Sequence, residues 1–180
     1  RFENLSLIPA DMDLAGAEIE LAQSEDHLTR LREVLTKLKK NSDYDYVIID
    51  CPPSLGVLMT SALAAADELL IPLQCEFFGL EGLAKIVHVQ EQVRLSGANP
   101  NGTIEGIVMT MFDGRTNLSK QVVEQVRQYF PDEVYKTVIR RSIRLGEAPS
   151  YGQSIIEYDN NSNGAIDYRS LAKEFLKRRK

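Results

Sequence analysis

The chain has 180 residues, 43% of them hydrophobic and 26% charged, which are the proportions of a soluble globular domain with its own core. Its net charge of −5 argues against a protein that wraps nucleic acid by bulk electrostatic attraction, although local basic patches are compatible with it. No apolar run approaches the roughly 20 residues of a membrane-spanning helix, and the two cysteines and two histidines show no metal-ligand spacing.

The N-terminal part of the chain predicts a short strand over residues 5–8 and a linker over 11–21 that is able to form a short helix. Ser24 is expected to cap the next helix, with Glu25 in its first turn, a leucine stripe from Leu28 to Leu38 and Asn41 at its end. Residues 46–49 are β-branched and aromatic without a polar break. Such a run is typical of a strand buried on both faces of a parallel sheet.

Asp50 follows that strand directly, and Cys51, Pro52 and Pro53 follow Asp50. Two consecutive prolines do not continue a strand ladder, so the chain is expected to leave the sheet there. Open α/β sheets place their ligand crevice at the carboxyl ends of strands. A carboxylate in that position suits the binding of Mg²⁺ or its waters, but an aspartate that only caps the turn fits the local pattern equally well. Ser54 is predicted to cap the helix that follows.

The rest of the chain alternates strands and helices, which predicts an α/β fold with a mainly parallel sheet. Short apolar runs predict strands at 68–73, 104–112, 134–139 and 154–158. Helical periodicity predicts helices around 83–93, over 118–130 and at the C-terminal end, which finishes with four basic residues, 177–180. Residues 140–151 are expected to form a loop. No shift in composition divides the chain, so 1–180 is interpreted as a single domain, and Cys51 and Cys75 are expected to be free thiols rather than a disulfide.

Several segments resemble the ParA/Soj family of chromosome- and plasmid-partitioning ATPases. The sequence Y-D-Y-V-I-I-D-C-P-P-S-L-G (44–56) is similar to the Walker B and switch II region of that family. The likeness continues through I-P-A-D-M-D-L-A-G-A-E (8–18), A-A-D-E-L-L-I-P-L-Q-C-E-F-F-G-L-E-G-L (65–83) and M-T-M-F-D-G-R-T-N-L-S (109–119). It extends into R-L-G-E-A-P-S-Y-G (144–152) and I-I-E-Y-D (155–159). Within the superfamily, residues 74–83 favour the Soj branch over the MinD branch.

The resemblance implies a P-loop NTPase-type sheet flanked by helices, with ATP and Mg²⁺ as cofactors. It also implies an ATP sandwich dimer that binds DNA without sequence preference, a ParB-type partner that stimulates hydrolysis, and a cytoplasmic, nucleoid-associated location without stable membrane association.

The resemblance also assigns roles to residues. Asp50 matches the Walker B acid, which acts through a Mg²⁺-bound water. Arg115 and Arg144 match positions that contact the DNA backbone, whereas Arg140 and Arg141 are left undecided. The remaining matches are nucleotide-binding or switch positions: Cys51, Pro52 and Pro53 at the γ-phosphate switch, and Glu147, Ala148 and Pro149 in a loop near the base.

The sequence also departs from the family. It contains no Gly-Lys dipeptide, so the loop that surrounds the β- and γ-phosphates is absent and the chain alone is not expected to hydrolyse ATP. Ile139-Arg140-Arg141-Ser142 replaces a usual I-P-R-N, and Gly146 replaces a usual serine.

In the family the P-loop strand lies between the Walker B strand and the strand at 68–73. The hypothesis is therefore that the sequence is a fragment of a longer ATPase whose sheet is incomplete at its N-terminal side. Two alternatives are a catalytically inactive DNA- or partner-binding module and a MinD-like membrane-surface ATPase. For the second, an ordinary surface helix whose terminal cations match the helix dipole is favoured over a membrane anchor.

Overall fold

The computed structural model describes residues 2–24, 26–40 and 44–179, and contains a three-stranded sheet flanked by helices. The chain forms two compact units: Arg1–Asp67 with Val89–Gly102, and Glu68–His88 with Thr103–Lys180. The interpretation of 1–180 as a single domain stays a prediction. Glu25, Asn41 and Lys180, to which the sequence assigned helix-end positions, lie outside the described residues.

The sheet belongs to the second unit and consists of β1 (Glu68–Gln74), β2 (Thr103–Phe112) and β3 (Val134–Arg140). Its order is β1-β2-β3, and both strand pairs are parallel. The helices of this unit are α5 (Asn117–Tyr129), α6 (Ile143–Glu147), α7 (Ile155–Tyr158) and α8 (Asn163–Arg178), together with the first part of α4 (Phe77–Leu95). This arrangement confirms the predicted α/β class with its parallel sheet.

Apolar side chains cover both faces of the sheet. On one face Ile107 and Met109 of β2 are fully buried and pack in a cluster with Leu83 of α4 and with Val122 and Val126 of α5. On the other face Val108, Tyr135 and Ile139 pack against Leu171 and Phe175 of α8. Successive residues of a strand point to opposite faces, so the consecutive apolar residues 107–109 of β2 supply both clusters.

Two segments of the second unit differ from the prediction. The expected strand over 154–158 is the short helix α7, because Ser154 and Glu157 form a reciprocal capping box at its start. The expected loop over 140–151 contains α6 and a 3₁₀ helix, Ala148–Tyr151, which Gly152 ends in a left-handed conformation with φ 62°. In both segments, polar side chains that the prediction placed in a loop or a strand lie on helical turns instead.

The first unit contains α1 (Asp13–Ala22), α2 (Arg30–Lys40) and α3 (Val57–Ala65). The predicted strands at 5–8 and 46–49 are wrong: both segments are described, and neither pairs with another strand. Ile48 is 90% exposed, although the apolar run predicted burial on both faces. An apolar run becomes a buried strand only beside a partner, and no described residue provides one. Ser54 does not cap α3, which begins after Gly56.

Buried polar contacts hold the C-terminal end of α3. The side-chain amide of Asn99 donates to the carbonyls of Leu63 and Ala66 at 2.8 and 2.7 Å. The Arg32 guanidinium donates to the carbonyls of Ala64 and Ala98. These side chains satisfy carbonyl groups that the end of a helix leaves without a partner.

One residue near the end of β2 has a backbone conformation that is rare outside glycine. Met111 has φ 54°, in the left-handed region, and the pairing of β2 with β3 shifts register between Met109 and Phe112. The two observations together describe a local irregularity in β2 just before its carboxyl end. No described helix combines the length and hydropathy that crossing a membrane requires.

Candidate functional site

The carboxyl ends of β2 and β3 lie side by side and carry most of the predicted basic residues. Phe112 is opposite Arg140 in the register, and the backbone N–H of Arg141 donates to the carbonyl of Phe112 at 3.0 Å. The turn after β2 therefore lies beside the segment after β3. Adjacent carboxyl ends of parallel strands form the edge at which α/β folds bind ligands.

Arg115 lies in the turn after β2 and is held by Asp113. Its Nε and Nη2 atoms donate to the two carboxylate oxygens of Asp113 at 2.9 and 2.7 Å, and its backbone N–H donates to the same carboxylate at 3.0 Å. These bonds, with the more distant charge of Arg141, keep the pKa of Asp113 well below its usual range. The Arg115 side chain is still 89% exposed. Asp113 therefore binds one side of the Arg115 guanidinium, and the donors that Asp113 does not bind face solvent.

Arg144 lies on α6, not in a loop, and is surrounded by acidic and aromatic side chains. Its Nη1 is 3.1 Å from Glu147 and its Nε is 3.6 Å from Asp159. Its guanidinium carbon is 6.0 Å from the ring centroid of Tyr158, which in turn stacks on Tyr151. Hydrogen bonding with Tyr158 and Glu147 raises the pKa of Arg144. The side chain is exposed but not unpaired, so a phosphate would have to compete with these partners.

The structure separates the two arginines that the sequence left undecided. Arg140 makes a bidentate ion pair with the buried Asp167, with Nη2–Oδ1 at 2.7 Å and Nε–Oδ2 at 2.9 Å. The backbone N–H of Arg140 also donates to Asp167. Arg141 is exposed, and no hydrogen bond or ion pair of its side chain is found within the described part of the chain. Arg140 thus has a structural role, whereas Arg141 is exposed and acts on Asp113 through its charge.

The residues expected near the nucleotide base occupy the end of α6 and the 3₁₀ helix. Glu147 is half-buried and accepts hydrogen bonds from Arg144 and from the Tyr158 hydroxyl, each at 3.1 Å. Ala148 is buried in a small apolar cluster, so it fixes the segment and does not present a side chain to a ligand. Pro149 is exposed. Of the three, only Glu147 and Pro149 present side-chain surface.

Asp50 and the three residues after it belong to the first unit and form an irregular segment. Asp50 and Pro53 are exposed, whereas Cys51 and Pro52 are half-buried. Burial, with the nearby charge of Asp50, raises the pKa of the Cys51 thiol. The Asp50 carboxylate meets solvent, as a metal-binding acid would, but the predicted strand that should fix it in place is not formed.

The acidic, histidine and cysteine side chains of the described residues do not gather into a metal cluster. No group of three or more acidic, histidine or cysteine side chains suited to a metal occurs among them. Mg²⁺ in nucleotide sites takes one or two carboxylates together with phosphate oxygens, which backbone N–H groups and a lysine hold in place. The sequence supplies the acid Asp50 but contains no Gly-Lys phosphate loop. Cys51 and Cys75 are both free thiols, as expected.

Sequence reasoning missed the acidic partners of the arginines. Asp113 lies two residues before Arg115, and an aspartate that bonds the backbone two residues ahead is a local turn signal that the sequence already contained. Asp159 and Asp167 approach Arg144 and Arg140 only through the tertiary structure. They are 15 and 27 residues distant along the chain, and no local pattern indicates them.

Comparison with known proteins gives concordant matches. Residues 1–104 match the model of a family described as an AAA domain. The chain is 52% identical over 172 residues to the sporulation initiation inhibitor protein Soj of Bacillus subtilis (strain 168), covering 96% of this chain and 67% of that protein. It is 49% identical over 174 residues to the chromosome partitioning protein ParA of Myxococcus xanthus (strain DK1622), covering 97% and 60%. The chain thus spans about two thirds or less of these relatives' length.

A solved structure supports the same fold. The chain superimposes on cobyrinic acid a,c-diamide synthase from Mycobacterium smegmatis with bound ATP analog and magnesium, with a TM-score of 0.73 and 34% identity. The match covers 93% of this chain and 60% of that one. The sheet and its helices are therefore those of a P-loop NTPase-like fold.

Proposed function

The chain belongs to the ParA/Soj family of chromosome-partitioning ATPases, and from that membership we propose that it forms part of an ATPase that partitions a chromosome or plasmid. The observation that carries the proposal is the 52% identity to Soj over 172 residues, which includes every candidate site segment. The complete domain binds DNA without sequence preference as an ATP-dependent dimer, and a ParB-type partner stimulates its ATP hydrolysis. It acts in the cytoplasm, at the nucleoid.

Arg115 and Arg144 are proposed to contact DNA phosphates. Both are exposed, and because Asp113 binds Nε and Nη2 of Arg115, the remaining donors of that guanidinium are those available to a phosphate. Phosphate contacts of this kind carry no base information, in agreement with binding that is independent of sequence. With an overall charge of −5, the attraction to DNA has to come from individual arginines and not from the protein as a whole.

Asp50 is proposed to act as the acid of the nucleotide site, holding a water of Mg²⁺, once a phosphate loop is supplied. Cys51, Pro52 and Pro53 would form the switch that senses the γ-phosphate. Glu147 and Pro149, positioned by the buried Ala148, would lie near the adenine base of the nucleotide. Support comes from the relative that was solved with an ATP analog and magnesium. The 180-residue chain alone is expected to show no ATPase activity.

A chimera tests the proposal. The P-loop-bearing segment of the Bacillus subtilis relative is joined ahead of residue 1, and ATP hydrolysis and ATP-dependent DNA gel shifts are measured. We expect Asp50→Asn to abolish hydrolysis. We expect Arg115→Ala with Arg144→Ala to weaken DNA binding and to reduce the slope of log K against log salt by about 0.9 for each lost phosphate contact. Arg94→Ala, which removes an exposed arginine of α4, is the matched control.

The result separates the candidate functions. Gel shifts that the double arginine variant leaves unchanged contradict the DNA-contact role. A folded chimera that binds DNA but hydrolyses no ATP favours the inactive binding module. For the membrane-surface alternative, Leu171 and Phe175 of α8 pack against the sheet, whereas Leu176 of the same helix is 49% exposed. Sedimentation with anionic liposomes checks it, and we expect no binding.

A further inference from the structure

The outer edge of β3 is the feature of the second unit that the proposed function does not use. In the described sheet β3 pairs with β2 on one side only. An edge strand presents backbone N–H and C=O groups that template the addition of a strand from another chain.

Side chains of α8 accept the edge N–H groups. The Glu174 carboxylate accepts from the backbone N–H of Lys136 at 2.7 Å with one oxygen and from that of Thr137 at 2.8 Å with the other. Asp167 accepts from the backbone N–H of Arg140 at 3.0 Å. Three donors along a seven-residue strand are thus bound by two carboxylates of one helix.

Arg178 provides the complementary donor. Its Nη2 donates to the carbonyl of Val134 at 2.7 Å, and its Nη1 donates to the carbonyl of Glu133 at 3.1 Å. The same guanidinium lies 3.9 Å from the ring centroid of the fully buried Tyr135 and 3.4 Å from Glu174. Its position is therefore set by the core as well as by the strand.

The spacing of these three residues follows helix geometry. Positions i, i+7 and i+11 of a helix with 3.6 residues per turn lie within about 20° of one line along its surface. Asp167, Glu174 and Arg178 have this spacing, and along α8 they meet β3 first at its end and last at its start. On the neighbouring face of α8, Leu171 and Phe175 pack against the sheet and hold the helix at this edge.

We propose that the polar stripe of α8, formed by Asp167, Glu174 and Arg178, takes the place of a fourth strand and closes the β3 edge to strand addition by a second copy of the chain. Two carboxylates and one guanidinium match the donors and the acceptor that a neighbouring strand would otherwise use. The proposal does not depend on ATP or DNA binding.

Glu174→Ala tests the proposal in the full chain. We expect the amide hydrogens of Lys136 and Thr137 to exchange roughly tenfold faster or more, since each loses a bond to a charged acceptor. We also expect more association than in the wild type at equal concentration, measured by analytical ultracentrifugation. Lys173→Ala, on an adjacent exposed position of α8, is the control and should change neither measurement.

Glu174→Gln is the second variant, which keeps the proposal testable if Glu174→Ala does not fold. It keeps the shape and one acceptor oxygen, so we expect intermediate exchange at the same two amides and circular dichroism like that of the wild type. Unchanged exchange in both variants overturns the proposal. Faster exchange without added association overturns its second half, because the opened edge would then not recruit another chain.

Discussion

Replacing Gly106 by alanine tests how closely β2 packs against β3. A Cβ atom at position 106 would lie 2.5 Å from Cε2 of Tyr135 and 2.8 Å from the carbonyl oxygen of Glu133. Neither atom moves away easily. The Tyr135 hydroxyl lies 2.5 and 2.6 Å from the carboxylate oxygens of Glu105, and Arg178 covers the ring. The other close atom belongs to the backbone of the segment entering β3.

The expected cost follows from this geometry. Overpacking a core typically lowers the free energy of unfolding by about 1–3 kcal/mol, and we expect Gly106→Ala in the upper half of that range because both neighbours are fixed. For a chain of this length, about 2–3 kcal/mol corresponds to a fall in Tm of roughly 4–12 °C. Tyr135→Leu removes the ring that the new Cβ would meet. The double variant Gly106→Ala, Tyr135→Leu should therefore lose less stability than the two single variants lose together, and the difference should be at least about 0.5 kcal/mol.

Urea and thermal unfolding followed by circular dichroism measure both quantities. Gly82→Ala is the matched control, because a Cβ there meets no atom within 4 Å and the residue lies inside α4. We expect that control to raise the free energy of unfolding by about 0.5–1 kcal/mol. A Gly106→Ala chain with the urea midpoint and slope of the wild type would refute the reasoning, since it would show that β3 and Tyr135 shift without cost.

Three further outcomes are expected. Met109→Ala, at a fully buried position of β2, should lower the free energy of unfolding by about 2–5 kcal/mol in urea titrations. Burial raises the pKa of Cys75 to about 11 and keeps its thiol covered, so mass spectrometry after alkylation at about pH 8 should find the half-buried Cys51 modified first and Cys75 modified only on unfolding. Burial alone would raise the pKa of Glu174, but hydrogen bonds from the Thr137 side chain and from β3 N–H groups lower it overall. Its contribution to stability is therefore complete above the unfolded pKa of about 4.3 and lost as pH falls through the lower folded value, so Glu174→Gln should flatten the acid limb of a stability–pH curve.

The strands that the sequence predicts correctly are those whose partners lie within the chain. Residues 68–73, 104–112 and 134–139 pair with one another, and the observed strands differ from the predicted bounds by one residue at an end. Residues 46–49 have an equally apolar pattern but pair with no strand of the described sheet, and Tyr46, Val47 and Ile48 are exposed. The hydrophobic period and the residue types indicate that a segment is suited to a buried strand, whereas pairing depends on whether a partner strand is present.

Local signals explain a second class of error. The Ser154–Glu157 pair is a capping-box pattern, and it outweighs the β-branched Ile155 and Ile156 that suggested a strand. In contrast, nothing local distinguishes Arg140 from Arg141. Their roles differ because Asp167 of α8 reaches one guanidinium, a contact that only the fold creates.

The left-handed backbone at Met111 has a consequence for the turn that carries Arg115. Met111 is 38% exposed and its φ of 54° lies in the left-handed region, so no deeply buried side chain holds this backbone conformation. A substitution at Met111 therefore acts on the main chain directly before the turn that carries Arg115, whereas a substitution within residues 113–116 acts on the turn itself.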